Sequence, residues 1–251
     1  MLAAVMSGDA KNLAELMRQD PGFNVNMNLG WGASLLHYSC SEDSRSAVIP
    51  LLLAHPDIDV NTKTKYGETP FYYTCNGRPS CACAMLKDSR VKVNEPGDDG
   101  CTPLWYAAYY GHLDVIKWWI ASGREMDLGY PGERKTDAIG VAKKEGNTEV
   151  VTLLERFKSD TAKTISEVRV ELGLLDELAS EMFAMVVFVS DGLLQIKDTP
   201  PSPAARYFSI ASQLPLELQM VLCFRQVGSA KEIIQGKERE VAFKSLARTL
   251  W

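Results

Sequence analysis

Apolar residues in this chain come in short bursts with helical spacing, and the bursts themselves recur. Leu113, Val115, Ile116 and Trp119 give a helix one apolar face. The segment ends Val25-Asn26, Val60-Asn61, Val93-Asn94 and Met126-Asp127 follow one another at intervals of 35, 33 and 33 residues. A fixed period of this length predicts a stack of small helical units, none of which can bury its own apolar face. After Lys158 the period is gone. There Ile165, Val168, Leu172, Leu175, Ala179 and Met182 step by three and four, which is a helix seam. Met182–Val189 reads as a helix end or a short strand, and Pro200-Pro201-Ser202-Pro203 as a loop. Three helices are expected beyond it, over 204–213, Leu216–Val227 and Glu238–Leu250.

The repeated unit has a definite local chemistry. In Thr102-Pro103-Leu104-Trp105-Tyr106-Ala107-Ala108-Tyr109-Tyr110-Gly111-His112 the threonine can cap a helix, and proline fits its first position without wasting an N–H. The alanines let neighbouring helices approach closely, and Gly111 permits the turn between paired helices. The string returns upstream as Thr69-Pro70-Phe71-Tyr72-Tyr73-Thr74-Cys75 and as Ser34-Leu35-Leu36-His37-Tyr38-Ser39-Cys40. It resembles the ankyrin signature TPLHxAAxxGH, with Trp105 in place of the usual histidine.

The resemblance covers residues 1–158, with three well-formed repeats between two degenerate ones. The first degenerate repeat contains Ala4–Asp9, Leu13, Leu16 and Met17. The last contains Asp137–Ala142, Gly146, Val150, Val151, Leu153 and Leu154. The resemblance implies an all-α fold, an ankyrin-repeat solenoid of helix pairs with β-hairpin tips near Gly32, Gly67, Gly100 and Gly132. A mainly helical C-terminal domain over 159–251 follows, its seam expected to cap the stack or to pair with another copy. Tyr72 and Trp105 replace the motif histidine, so the hydrogen bond that residue makes between turns is expected to be lost at both places.

Charge narrows the function. The net charge is −5; residues 1–158 carry 17 − 20 = −3 and the remainder 10 − 12 = −2. Neither part is basic, so neither nucleic acid nor an anionic membrane is an expected partner. Met182–Val189 is too short to span a bilayer. No secretory signal opens the chain, and Met1–Met6 already has repeat character, which suggests missing upstream residues. Six cysteines fit reduced thiols in a cytoplasmic or nuclear protein better than a disulfide scaffold. Cys40 and Cys75 fall at the second alanine of the motif, as small core thiols. In Cys81-Ala82-Cys83, Cys83 is expected on the core face. His37 and His112 are motif positions, which leaves His55, too little for a metal site. Walker, GxSxG, HExxH and GxGxxG patterns are absent, and Gly30-Trp31-Gly32 lacks a third glycine. The expectation is a protein that is not an enzyme, without metal, cofactor or small-molecule substrate.

In the family that the motif resembles, partners meet the hairpin tips and the exposed end of the first helix. That implies contacts at Gly30, Trp31, Ala33, Ser41 and Glu42, then at Lys65, Tyr66, Glu68, Asn76 and Gly77, then at Asp98, Asp99, Cys101, Tyr109 and Tyr110. Trp31, Tyr66, Tyr109 and Tyr110 would form an aromatic patch rimmed by Glu42, Glu68, Asp98 and Asp99. The alternative is that these rings pack on their own neighbours. The expected function is an adaptor or scaffold that binds another protein through the concave repeat surface. Two alternatives stand beside it. Leu214-Pro215-Leu216-Glu217-Leu218 with Leu222 resembles the opening of an F-box, which implies docking of Leu214, Pro215, Leu218 and Leu222 on a Skp adaptor in a ubiquitin ligase. An enzyme with an unrecognised site in the C-terminal region is the other. Asn94, eight residues after Leu86, resembles ankyrin asparagines modified by an asparaginyl hydroxylase, although a hairpin asparagine is the simpler reading.

Overall fold

A computed structural model describes residues 1–129, 136–195, 203–228, 234 and 236–250. The chain falls into two compact units, Met1–Ile165 and Ser166–Trp251.

The first unit is built of helix pairs. They are α1 (Leu2–Met6) with α2 (Ala10–Gln19), α3 (Leu35–Cys40) with α4 (Ile49–Leu53), α5 (Pro70–Thr74) with α6 (Pro79–Leu86), α7 (Pro103–Tyr109) with α8 (Leu113–Ser122), and α9 (Ala138–Lys144) with α10 (Thr148–Ser159). A 3-10 helix, Asp43–Val48, leads into α4. Three of the first helices, α5, α7 and α9, start where a side chain satisfies an orphan N–H. The Tyr72 N–H donates to the Thr69 hydroxyl at 3.3 Å, and that of Trp105 to Thr102 at 3.2 Å. The Gly140 N–H donates to the Asp137 carboxylate at 2.6 Å. Leu35, Leu36, Phe71, Leu104, Val115, Ile116 and Trp119 are fully buried. Trp119 meets the Phe71 ring of the preceding repeat edge-on at 4.9 Å, so adjacent repeats share one core.

The repeats are also stitched along one edge by asparagines. Asn26, Asn61 and Asn94 each donate from Nδ2 to a carbonyl of the next repeat (Asp57, Arg90 and Glu125, at 2.7, 2.9 and 3.2 Å). Each Oδ1 accepts from the N–H two residues further on, at Asp59, Lys92 and Asp127. The expected tips at Gly32, Gly67 and Gly100 are present as turns, and no strand occurs among the described residues. Each turn is closed by two backbone bonds: Leu29 N–H to Ala33 O with Ala33 N–H to Gly30 O, Thr64 N–H to Glu68 O with Gly67 N–H to Thr64 O, and Gly97 N–H to Cys101 O with Gly100 N–H to Gly97 O. The fourth tip, at Gly132, lies outside the described residues.

Two further expectations are corrected. The indole Nε1 of Trp105 donates to Thr136 O at 3.1 Å, matching the His37 Nε2 contact to Glu68 O, also at 3.1 Å and also 31 residues ahead. At Trp105 the bond between turns therefore survives the loss of histidine, because an indole N–H can donate in the same direction, whereas the Tyr72 hydroxyl donates to Tyr106. On α6 it is Cys81 that is buried, against the Ser39 and Glu42 carbonyls, while Cys83 is half-buried.

The second unit carries α11 (Thr161–Glu171), which begins just before it, then α12 (Leu175–Ser190), α13 (Pro203–Ala211), α14 (Leu216–Gln226) and α15 (Gly236–Leu250). The seam from Ile165 to Met182 is divided between α11 and α12 at Gly173, whose φ of +70° stops the first helix. Met182–Val189 is helical. Pro203 opens α13, while Pro200–Ser202 lie outside the described residues. Phe183, Val186, Ala211, Met220, Cys223, Phe224 and Ile234 form the core of this unit. No helix among the described residues is long and apolar enough to cross a membrane.

Candidate functional site

The turn at the first complete tip holds Trp31 between two glycines. Trp31 has a φ of +56°, the one positive value at a non-glycine among the described residues. Its carbonyl accepts from Lys65 N–H of the next tip at 2.7 Å, and Tyr66 O accepts in turn from Asp98 N–H at 2.9 Å. These bonds hold successive tips side by side. Trp31 and Tyr66 are 69% and 56% exposed. The Lys65 ammonium lies 2.8 Å over the centre of the Trp31 ring and 4.7 Å from that of Tyr66.

Beneath the tips run two adjoining hollows. One, of about 370 Å³, is lined by Trp31, Tyr38, Tyr66 and Tyr73 together with Gly30, Ala33, His37 and Ser41. The other, of about 360 Å³, is lined by Glu68, Tyr72, Tyr73, Tyr106 and Tyr110 with Ser41, Asn76 and Arg78. Ser41 and Tyr73 belong to both, so the hollows form one groove across three repeats.

The lining of the groove carries one carboxylate, Glu68, and one guanidinium, Arg78. Burial is the largest influence on the Glu68 carboxyl and pushes it above the ordinary glutamate range. Asp99 and Asp98 push the same way, while hydrogen bonds from Thr64 and Tyr73 partly offset this. Tyr106 donates to Asp99 Oδ2 at 2.8 Å and accepts from Tyr72, a chain that holds both rings in place. Burial also raises the Tyr72 and Tyr73 hydroxyls, so both stay neutral donors. Arg78 is anchored to main-chain oxygens, donating to Ser41 O at 2.8 Å and Asn76 O at 2.6 Å.

Of the residues singled out from sequence, Trp31, Tyr66, Glu68 and Tyr110 line this groove, with Gly30, Ala33, Ser41 and Asn76. Tyr109 stacks on Trp105 at 5.3 Å and lines neither hollow. Asp98 is exposed on its tip. Asp99 accepts from Cys101 N–H and from Tyr106, within its own repeat. The sequence reading missed Tyr38, Tyr73 and Tyr106. A signal for them existed: all three occupy the variable position of the motif, 35 and 33 residues apart. Cys40 and Cys75 are fully buried, and burial raises both thiols, Cys75 to about 12. No cluster of three His, Cys, Asp or Glu among the described residues is placed to hold a metal ion. In the second unit Pro215 precedes α14. Leu218 is exposed beside Leu216, while Leu214 and Leu222 are half-buried.

Comparison with known proteins agrees with this architecture. The family profile described as ankyrin repeats (three copies) matches residues 1–96, and that of the ankyrin repeat matches residues 99–123. An ankyrin repeat protein of Rickettsia bellii is 31% identical over 86 residues, 34% of this chain and 48% of that one. The SMC5-SMC6 complex localization factor protein 1 of Bos taurus is 29% identical over 150 residues, 57% of this chain and 14% of its own length. Its Homo sapiens counterpart is 33% identical over 93 residues, 37% and 9% of the two chains. The chain thus spans less than half the length of each of these relatives.

Proposed function

Because this chain is an ankyrin-repeat protein, we propose that it acts as an adaptor or scaffold that binds an extended segment of another protein along the groove beneath its tips. The observation that carries the reading is the joining of the two aromatic hollows through Tyr73 and Ser41. Trp31, Tyr66 and Tyr110 stand more than half exposed along it. Large rings of limited rotamer freedom are favoured binding anchors. One repeat offers too little area, whereas three neighbouring repeats approach the ~800 Å² per partner of a standard interface. The bovine and human relatives are named as localization factors of a complex.

The test is a pull-down with wild-type protein and with Tyr66→Ala/Tyr110→Ala, each checked by circular dichroism. The folded double variant should lose its partners, by roughly 2 kcal/mol or more. Equal retrieval by the folded variant would place the binding face elsewhere. A second reading rests on exposed Leu216 and Leu218 of α14, the apolar pair inside the F-box-like string. It makes the protein a substrate receptor of a ubiquitin ligase. Leu218→Asp should then abolish co-purification with a Skp-type adaptor, and absence of any such adaptor from the wild-type sample would end that reading.

A further inference from the structure

We propose that the hollow walled by Glu68 receives one lysine or arginine side chain of the bound segment, its charge held by the Glu68 carboxylate and its stem laid against the rings of Tyr73, Tyr106 and Tyr110. This rests on the reading that the groove is the binding face, and it assigns the chemistry of the residue bound there.

Size comes first. About 360 Å³ is near the lower end of ligand-sized pockets (~300–1,000 Å³), suited to one long side chain and its flanking backbone. The walls come next. Tyr72 and Tyr106 have ring centres 5.0 Å apart, and Tyr106 and Tyr110 6.2 Å apart. Aromatic faces carry negative potential and attract a cation laid on them. Glu68 then supplies the counter-charge. Its partners are hydroxyls, those of Thr64 and Tyr73, and no cationic side chain is paired with it among the described residues. Asp98 and Asp99 add negative potential at the same place, and burial disfavours the carboxylate further. A cation would relieve both effects. A neutral side chain seated there would bury the carboxylate further with hydroxyl partners alone and no counter-charge, which is costly. Arg78 also faces this hollow, but its guanidinium is held by the Ser41, Asn76 and Gly77 carbonyls and not by Glu68.

Two rings that wall the neighbouring hollow already carry a cation from within the chain: Lys65 places its ammonium over Trp31 and beside Tyr66. One half of the groove therefore carries its own cation on aromatic rings, whereas in the Glu68 half the guanidinium of Arg78 is spent on main-chain carbonyls and pairs with neither the carboxylate nor, among the described residues, a ring.

The experiment is selection of random phage-displayed dodecapeptides on the intact protein, in parallel on wild type, Glu68→Gln, Glu68→Lys and Tyr66→Ala/Tyr110→Ala. Selected peptides are then synthesised and titrated against each. Wild type should enrich peptides with a basic residue at one fixed position, and their lysine and arginine versions show which is preferred. Glu68→Gln keeps the shape and should bind these peptides about tenfold more weakly or worse. Glu68→Lys should shift the fixed position to aspartate or glutamate. Enrichment without a fixed basic position, or equal binding to Glu68→Gln, overturns the proposal while the groove survives as binding face. Equal binding to the Tyr66/Tyr110 variant overturns both. A wild-type protein that enriches no peptide also counts against the proposal.

Discussion

Trp31 sits in a backbone conformation that tryptophan tolerates poorly. A left-handed non-glycine residue stores roughly 1–3 kcal/mol of strain, retained only where the surroundings demand it. The ring buries little in return, since it is mostly exposed. Asparagine adopts this conformation more readily. Trp31→Asn should therefore change stability by less than about 1 kcal/mol, strain relief offsetting the lost contact with Lys65. Partner binding should fall about tenfold or more. Denaturant titration and a binding isotherm on the same sample test this, and a large loss of stability would make the ring structural. His37 makes the opposite case. It is fully buried, and its Nδ1 accepts from Ser34 N–H, so the neutral ring donates from Nε2 to Glu68 O. Burial, the largest influence, lowers its pKa below the ordinary 6.5, against a smaller raising effect of the Glu68 carbonyl. The unfolded chain then binds the proton more readily than the folded one. The stabilising contribution is complete above about pH 6.5 and is lost as pH falls below it toward the folded-state value. Thermal melts from about pH 7.5 to about pH 5.5 should show falling stability, by at most about 1.4 kcal/mol per pH unit from this residue. His37→Gln should be less stable at neutral pH and should show a flatter slope.

Helix pairs and tips are the elements, and nearest-neighbour contact is what holds them. Leu104 is fully buried in α7 between neighbouring repeats. Leu104→Ala should destabilise the stack by roughly 2–5 kcal/mol, as loss of a core leucine does. Denaturant melts decide it, and a change under about 1 kcal/mol on that scale would remove Leu104 from the core. Asn94 has both amide atoms engaged, at Glu125 O and Asp127 N–H, as Asn61 and Asn26 do one and two repeats earlier. That repetition gives it a structural reason to be asparagine. Element by element, the sequence was legible where the motif names a residue for a local job: Thr69 and Thr102 as caps, Pro70 and Pro103 at first helical positions, Leu104 as core. At Tyr38, Tyr73 and Tyr106 the sequence showed a recurring tyrosine but not its task. The motif leaves their position free, and only stacking makes three separate helices present those rings to one groove. Trp105 escaped for a related reason, because its acceptor, Thr136 O, belongs to the next repeat.

At the scale of the whole molecule, the second unit has its own core around Phe183 and Phe224, each about 1% exposed. Phe224→Ala should cost about 3–5 kcal/mol there, read as faster hydrogen exchange at the amides of α12 and α14. Protection unchanged from wild type would show that the core does not depend on that ring. The chain's own pattern determined the period, the helix pairs, the glycine turns and the three last helices. All of these follow from neighbours close in sequence, where spacing, capping and φ preference act directly. Tertiary structure decided which side chains share a space. It brought Glu68 beside Tyr106 and Tyr110, turned Asp99 inward to Tyr106, set Tyr109 on Trp105, and buried Cys81 in place of Cys83. These are contacts between residues of different repeats, between a tip and the helix that follows it, or choices between the two sides of one short helix. Their outcome depends on the rotation of one unit against the next, a quantity set by the packing of Phe71, Leu104, Trp119 and their neighbours together.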